Sequence, residues 1–523
     1  MIRIAFYNSM MRSSNFPVYL LTGLLVIADR LTLLLKFHFN YVGSDDLIFW
    51  LGAHDYSLGI FHEPYFYGQK YNFMLEALFA VPLIWTGLDF NIALPLVSSG
   101  ISLMPFVIWS IALYRNRSYL SAIFFLSIPL LLPLEYGFLG SVSRGFTSGL
   151  LFTVFLIPAV LKPNKPLGMF YMWFATFFGF IMNPNSIIVC LPVVTLALLT
   201  NYNKPIFYLS ALVVSIPAFL IQYLAKMFYE VNPLYKVCSM WKIEFDLDLL
   251  LKNLTCLDCF FPYFTPLEWK HGWLGFILVF AVALILIRHD WKIAISMIFG
   301  VLLILVSLGV NKVNDDANTI LLSSSRMFLG IPIFLGIAWY WTSSFTSPSK
   351  PQTKVLFAVL CLTVFFFKTA TSDAVLSKLQ ANIEVGPMPI KPIDALCEEC
   401  QELKHMSDNT MSNLLVMNPT WHRGVPQKEF YTYGCGLLID DFPKTLLTIY
   451  EKRTWVFIQA SCDTFERVIV YDSTFTPEKM DSDSSLTLID SSFQTVLIDN
   501  GRKLDLRTLL ESHGIKLKRN GYD

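Results

Sequence analysis

Over the first ~370 positions the chain alternates between long apolar runs and short polar clusters. The runs are continuous and about 15 to 22 residues long, close to what a helix needs to cross a hydrocarbon layer of about 30 Å. A transmembrane barrel would instead alternate apolar and polar residues in segments of about 10. The pattern predicts about eleven helices, near 17–37, 91–114, 119–134, 145–161, 168–182, 186–200, 205–224, 273–288, 293–310, 326–342 and 354–372. In lipid a helix satisfies its own backbone polar groups, so a polytopic helical membrane protein is the fold class expected. The first run, Pro17 to Leu35, follows Arg3 and Arg12, lacks a small-residue cleavage site and is interrupted by Asp29 and Arg30. It reads as a retained first helix. Asp29 and Arg30 are neighbours on that helix, so they point in different directions and need separate partners inside the bundle.

After the last run the pattern changes. A Pro-rich stretch, "GPMPIKP" at 386–392, leads into alternating segments. "NLLVMNP", "TWVFIQA", "RVIVYD" and "TVLID" read as strands; "DDFPKTLLTIYEKR" and "LDLRTLLESHG" read as amphipathic helices. The expected organisation is a membrane part at 1–374 containing a first outer loop at 38–90, a linker at 375–392, and a small soluble α/β domain at 393–523. No internal repeat or low-complexity tract is visible.

Composition agrees with this division. The chain is 54% hydrophobic and 15% charged, against about 25% charged in soluble proteins. Its 45 Phe and 23 Tyr suit a lipid-embedded bundle with an aromatic interface. The net charge is zero, which gives no electrostatic footprint for nucleic acid. Among the short loops, one side of the bundle collects Arg115, Arg117, Lys162, Lys165, Lys204, Arg288, Lys292, Lys350 and Lys354. The positive-inside rule sets that side and the N-terminus in the cytoplasm. An odd number of spans then exports the C-terminal domain. The last helix decides this, because its apolar core, Val355 to Phe367, is short. If it does not span, the domain is cytoplasmic.

Of nine cysteines, Cys190 and Cys361 lie in predicted helices, and the others lie in segments expected outside. "CLDC" and "CEEC" are ~140 residues apart, too scattered for an obvious zinc site. Disulfides among Cys256, Cys259, Cys397, Cys400, Cys435 and Cys462 are expected in an oxidising compartment, with Cys238 left over.

The first outer segment, from Phe37 to Asn91, is too long for a plain connector. "LIFWLGAHDYSLG" and "YNFMLEALFAVPLIW" read as amphipathic helices lying on the membrane. The acidic pair Asp45 and Asp46 opens the segment, and His54, Asp55, His62, Glu63, Gln69 and Lys70 follow. Titratable groups against an apolar surface are candidates for acid/base chemistry. A solvated loop with helix-capping carboxylates is the plainer reading. Glu76 and Glu135 are expected at the interface, and Asn253-Leu-Thr255 is a glycosylation sequon. Asp315 and Asp316 could hold a divalent metal, but one pair supplies few of the oxygens a hard cation needs.

A first helix, an outer loop opening on an acidic pair, the stretch "HEPYFYGQKY", and "SSSRMFLGIP" entering a late helix together resemble the GT-C superfamily. These are polyprenyl-phosphate-sugar-dependent glycosyltransferases, including the protein mannosyltransferase-like and aminoarabinose transferase-like enzymes. The resemblance covers residues ~17 to 370. Two departures are an Asp-Asp pair where Asp-Glu is frequent, and Met327 and Phe328 beside Arg326. The resemblance implies an inverting transfer from a lipid-phosphate sugar to a hydroxyl of a glycan, lipid or protein, in a bacterial inner (plasma) membrane. Asp45 would be the general base, with Asp46 orienting it or holding the acceptor. Arg326, Arg144, Lys70 and Lys226 are candidates for the donor phosphate. His54, His62, Glu63, Tyr67 and Gln69 are candidates for sugar or acceptor. No cofactor is required by this chemistry beyond the divalent metal already considered. A flippase or transporter of lipid-linked glycans would need deep charges in several helices. A membrane assembly protein would act through the C-terminal domain.

Overall fold

The computed structural model describes residues 15–69, 71–235, 244–264, 271, 273–311, 326–343, 345, 351–384, 390–418, 428–448, 451–472, 485–490 and 495–517. Lys70, Cys238, Asp315 and Asp316 therefore lie outside the described residues. The chain is mostly helical, with a small sheet region toward the C-terminus. Helix occurs at every one of the eleven stretches named from the apolar runs. Among the described residues, five helices are long and apolar enough to cross a membrane: Phe16–His38, Phe90–Arg115, Pro184–Asn201, Pro205–Val231 and Val355–Ala381. The last belongs to a continuous helix, Pro351–Glu384, of 34 residues. Its polar end hid its length, and it takes up much of the stretch read as linker. Along Pro205–Val231, Leu212, Ile216 and Phe219 are 59%, 59% and 67% exposed. Rows of large exposed apolar side chains fit a lipid environment and are costly in water.

The chain divides into two compact, discontinuous units: residues 1–39, 95–222 and 241–379, and residues 40–94, 223–240 and 380–523.

The first unit is a helical bundle with a polar interior. In the Phe16–Leu33 helix, Asp29 and Arg30 do find separate partners. Asp29 Oδ2 lies 2.7 Å from Lys368 Nζ, and Arg30 donates to Ser141 Oγ at 2.8 Å. Ser99 donates to the same Ser141 hydroxyl at 2.8 Å, and Ser98 and Ser143 are 2.9 Å apart. Gly140 permits this packing: a Cβ there would stand 2.3 Å from Ser102 Oγ. Glu135 is 5% exposed and lies in the interior of this unit. The sequon Asn253 is 8% exposed and donates to the Leu308 carbonyl at 2.9 Å, closing it to modification in the folded chain.

The second unit joins residues 40–94 to the C-terminal segment 380–523. Strand β1 (Tyr41–Gly43) pairs antiparallel with β2 (Ile390–Pro392), matching Tyr41 with Pro392 and Gly43 with Ile390. Five further strands follow: β3 (Leu414–Asn418), β4 (Lys444–Leu447), β5 (Thr464–Asp472), β6 (Leu486–Asp490) and β7 (Thr495–Asp505). Their spatial order is β4-β3-β5-β7-β6, parallel from β4 to β5 and antiparallel beyond. β3 lies between β4 and β5 and is a continuous buried run, as strands covered on both faces are. The Thr454–Cys462 and Leu506–Glu511 helices bring Phe457, Ala460, Leu506 and Leu509 onto this sheet.

Two expected elements change type here. "TWVFIQA" is helix, because its apolar run carries no period of its own and Phe457 and Ala460, three apart, meet the sheet. In "DDFPKTLLTIYEKR", Pro443 cannot donate a helical hydrogen bond, and Lys444–Leu447 pairs with β3 instead.

Candidate functional site

The acidic pair opens the Ser44–Ser57 helix, and its two members have different duties. Gly43 is extended, and its N–H donates to Asp46 Oδ2 at 2.8 Å. Asp46, third in the helix and 9% exposed, thus reaches back to satisfy a donor at the helix start. What the fold gives Asp46 is the capping role. Asp45 Oδ1 instead lies 2.6 Å from Lys452 Nζ. The helix is not amphipathic at this end: Leu47, Ile48, Phe49 and Trp50 are all buried, which encloses the first turns on every side. Leu47 packs where a Cβ on Gly434 would stand, 2.5 Å from Leu47 Cδ2. The second loop helix, Leu75–Trp85, buries Glu76 completely.

Lys452 is held from both sides. Glu451, 2% exposed, accepts from Leu447 N–H at 3.0 Å, Arg453 N–H at 3.0 Å and Arg453 Nε at 2.9 Å. Arg453 also donates to the Thr445 carbonyl at 2.9 Å and lies 4.7 Å from the Tyr433 ring centroid. The Glu451 carboxylate keeps that guanidinium's pKa above its ordinary value against the opposing effect of burial. Lys452 N–H donates to the Tyr433 hydroxyl at 3.2 Å. From the loop side, the Phe66 ring centroid is 4.7 Å from Lys452 Nζ. Gly68, at φ +73°, lies so close that a Cβ would stand 3.0 Å from the Lys452 carbonyl oxygen.

Beside this contact, Asp55 gathers Tyr67, His62 and His54. Tyr67 donates to Asp55 Oδ2 at 2.6 Å, His62 Nε2 is 3.6 Å from the same oxygen, and His54 Nδ1 is 3.7 Å from Oδ1. His62 stacks on Trp455 at 4.1 Å and 14°. Tyr67 meets Trp455 edge-on at 4.9 Å, and Tyr235 stands 5.6 Å away. Burial lowers the His62 pKa, against the pull of Asp55. Burial, then the Asp55 charge, raises that of Tyr67, so the phenol stays a donor. Glu63, 1% exposed, accepts from Gly68 N–H at 3.0 Å and from the Tyr229 hydroxyl at 2.9 Å. Burial nevertheless lifts its pKa to about 8. Gln69 contributes its main chain, donating to the Phe66 carbonyl at 2.8 Å. Lys226 is on the surface, 3.5 Å from Glu230 one turn on.

The two candidate arginines belong to the first unit. Arg144 is 3% exposed within a buried loop. Asn185 Nδ2 donates to the Phe146 carbonyl at 2.6 Å and the Arg326 carbonyl at 3.2 Å, so it links that loop to the start of the later helix. The Arg326 guanidinium is 5.4 Å from the Phe146 ring centroid. The serines flanking Arg144 are used internally, Ser141 by Arg30 and Ser143 by Ser98.

Cys256 and Cys259 form a disulfide, as do Cys400 and Cys435. "CEEC" is therefore not closed on itself. Cys400 is the buried cysteine of the Ile393–Thr410 helix and faces Cys435, while Cys397 and Cys462 carry free thiols. Among the described residues no group of three or more His, Cys, Asp or Glu is placed to hold a metal. Lys452, Trp455 and Tyr229 were not singled out by the sequence. The charged run Glu451-Lys452-Arg453 was the available signal, hidden at the end of a stretch that reads as an amphipathic helix. Compared with known proteins, the chain matches no family model, no curated protein and no solved structure.

Proposed function

We propose that this chain is a membrane glycosyltransferase of GT-C type that moves a sugar from a polyprenyl-phosphate donor to a hydroxyl acceptor at the extracytoplasmic face. The observation that carries this reading is the division of labour in the acidic pair. Asp46 caps its helix, whereas Asp45 stands outside the cap, mostly buried and held by a lysine. In the reaction the acceptor hydroxyl gives its proton to the Asp45 carboxylate as its oxygen attacks the anomeric carbon. The bond from that carbon to the phosphate oxygen breaks, the phosphate leaves with the electron pair, and configuration inverts. His54 and His62, whose rings keep exposed area, supply donors and acceptors for sugar hydroxyls. About eleven spans, an N-terminus in the cytoplasm and a bacterial inner membrane complete the proposal.

A transporter reading gains from one observation. Lys368 pairs with Asp29 inside the bundle, so deep charges occur on more than the first helix. Such charges mark conduction or coupling paths in many transporters. The absence of a visible internal repeat weighs against it.

The test is the full chain in sealed vesicles with radiolabelled polyprenyl-phosphate hexose and pentose donors. Transfer predicts label leaving the polyprenyl phosphate for an acceptor, with free polyprenyl phosphate formed in equal amount. Label that stays on the polyprenyl phosphate while crossing the bilayer would replace this reading with the transporter.

A further inference from the structure

We infer that Lys452 is the positioning residue of Asp45, so the acidic-pair site is built jointly by the first outer loop and the C-terminal half of the chain. The inference rests on the reading of Asp45 as the reacting carboxylate, but its geometry stands apart from that reading. Lys452 Nζ is 2.6 Å from Asp45 Oδ1, with the two side chains 24% and 19% exposed. A charge-assisted bond of that length sets the direction in which the carboxylate faces.

A lysine is ordinarily a flexible, four-carbon tether. This one is fixed at its base. Its own N–H is bonded to Tyr433, and its neighbours Glu451 and Arg453 are bonded to each other and to β4. Its carbonyl rests against Gly68, and its ammonium lies by the Phe66 ring. The arrangement fixes the carboxylate's direction beside aromatic surroundings. A surface ion pair between loose side chains would need none of these supports. The C-terminal half thereby has a function of its own, because it carries the residue that aims the base.

The experiment uses full-length protein in detergent micelles and a water-soluble carbodiimide with glycine ethyl ester, read by peptide mass spectrometry. In the wild type, the activated Asp45 carboxylate is attacked by the adjacent Lys452 amine. The amide forms, and the carbodiimide takes up the lost water as its urea, leaving an Asp45–Lys452 cross-link. In Lys452→Met the cross-link is absent and Asp45 carries the ester adduct. An Asp45 that is labelled equally by the ester in both proteins, with no cross-link, overturns the inference whatever the protein catalyses.

The kinetic arm uses the labelled polyprenyl-phosphate donors. Lys452→Met is expected to lower kcat by about 10- to 100-fold with donor KM little changed, as for a misplaced reacting group. Lys452→Arg should restore most of the rate. The charge-swapped pair Asp45→Lys with Lys452→Asp should recover the melting temperature without recovering transfer. Wild-type kcat in Lys452→Met also overturns the inference and leaves glycosyl transfer standing. A wild type that turns over no donor overturns the glycosyltransferase reading instead, and the cross-link alone then decides whether Lys452 holds Asp45.

Discussion

Glu63 is 1% exposed and takes hydrogen bonds from a backbone N–H and a tyrosine hydroxyl, yet burial outweighs both and lifts its pKa to about 8. The folded chain therefore holds this proton where the unfolded chain releases it. Stability from this residue is fully present below the ordinary value near 4.5 and falls as pH rises toward about 8. The slope is at most about 1.4 kcal/mol per pH unit. Glu63→Gln keeps an oxygen for the Gly68 N–H and removes the titration. Its melting temperature should exceed that of the wild type at pH 8 and lose the decline between pH 5 and 8. An unchanged pH profile would show that Glu63 stays ionised when folded. Residues of this kind were only partly legible in the sequence. Glu63, His62 and Asp55 stood out as polar groups in an aromatic stretch, but that Asp46 caps and Asp45 pairs follows from which way the helix starts. Lys452 was not legible, because an ion pair across ~400 positions leaves no local mark.

At the scale of elements, the apolar runs located the helices well, since a continuous run of about 18 residues has few alternatives in lipid. The same reasoning failed between 440 and 462. There the runs are short, periodicity does not separate strand from helix, and pairing with β3 decided the outcome. The ion pair between Asp29 and Lys368 links the Phe16–Leu33 helix to the Pro351–Glu384 helix, and the side chains are 14% and 6% exposed. Breaking a buried pair strands a charge, at about 3 to 5 kcal/mol, whereas replacing both members with apolar groups is often neutral. Lys368→Met alone should sharply lower thermal stability in detergent. Adding Asp29→Leu should restore it. If the double variant is as unstable as the single, the pair does more than join two helices.

At the scale of the molecule, the sequence suggested a membrane part followed by a separate soluble domain. Residues 40–94 instead belong to the same compact unit as the C-terminal segment 380–523, tied by the β1–β2 pairing and the Asp45–Lys452 contact. Contacts between distant segments carry no periodic signal, which is why this unit was invisible to pattern reading. Cys462 is exposed and carries a free thiol in the second unit. With the N-terminus inside, an impermeant maleimide should label it in intact cells, after permeabilising the outer membrane where there is one. Labelling only after lysis would put this unit in the cytoplasm and remove its access to a donor at the outer face. The central claim is that Asp45 takes the acceptor's proton while Asp46 serves the helix, and sugar transfer from a polyprenyl-phosphate donor by Asp45→Asn and Asp46→Asn tests it most directly. The account predicts a loss of about 10²- to 10⁴-fold in kcat for Asp45→Asn at wild-type melting temperature, and for Asp46→Asn a lowered melting temperature with the larger part of the rate retained. Wild-type transfer by Asp45→Asn would contradict it.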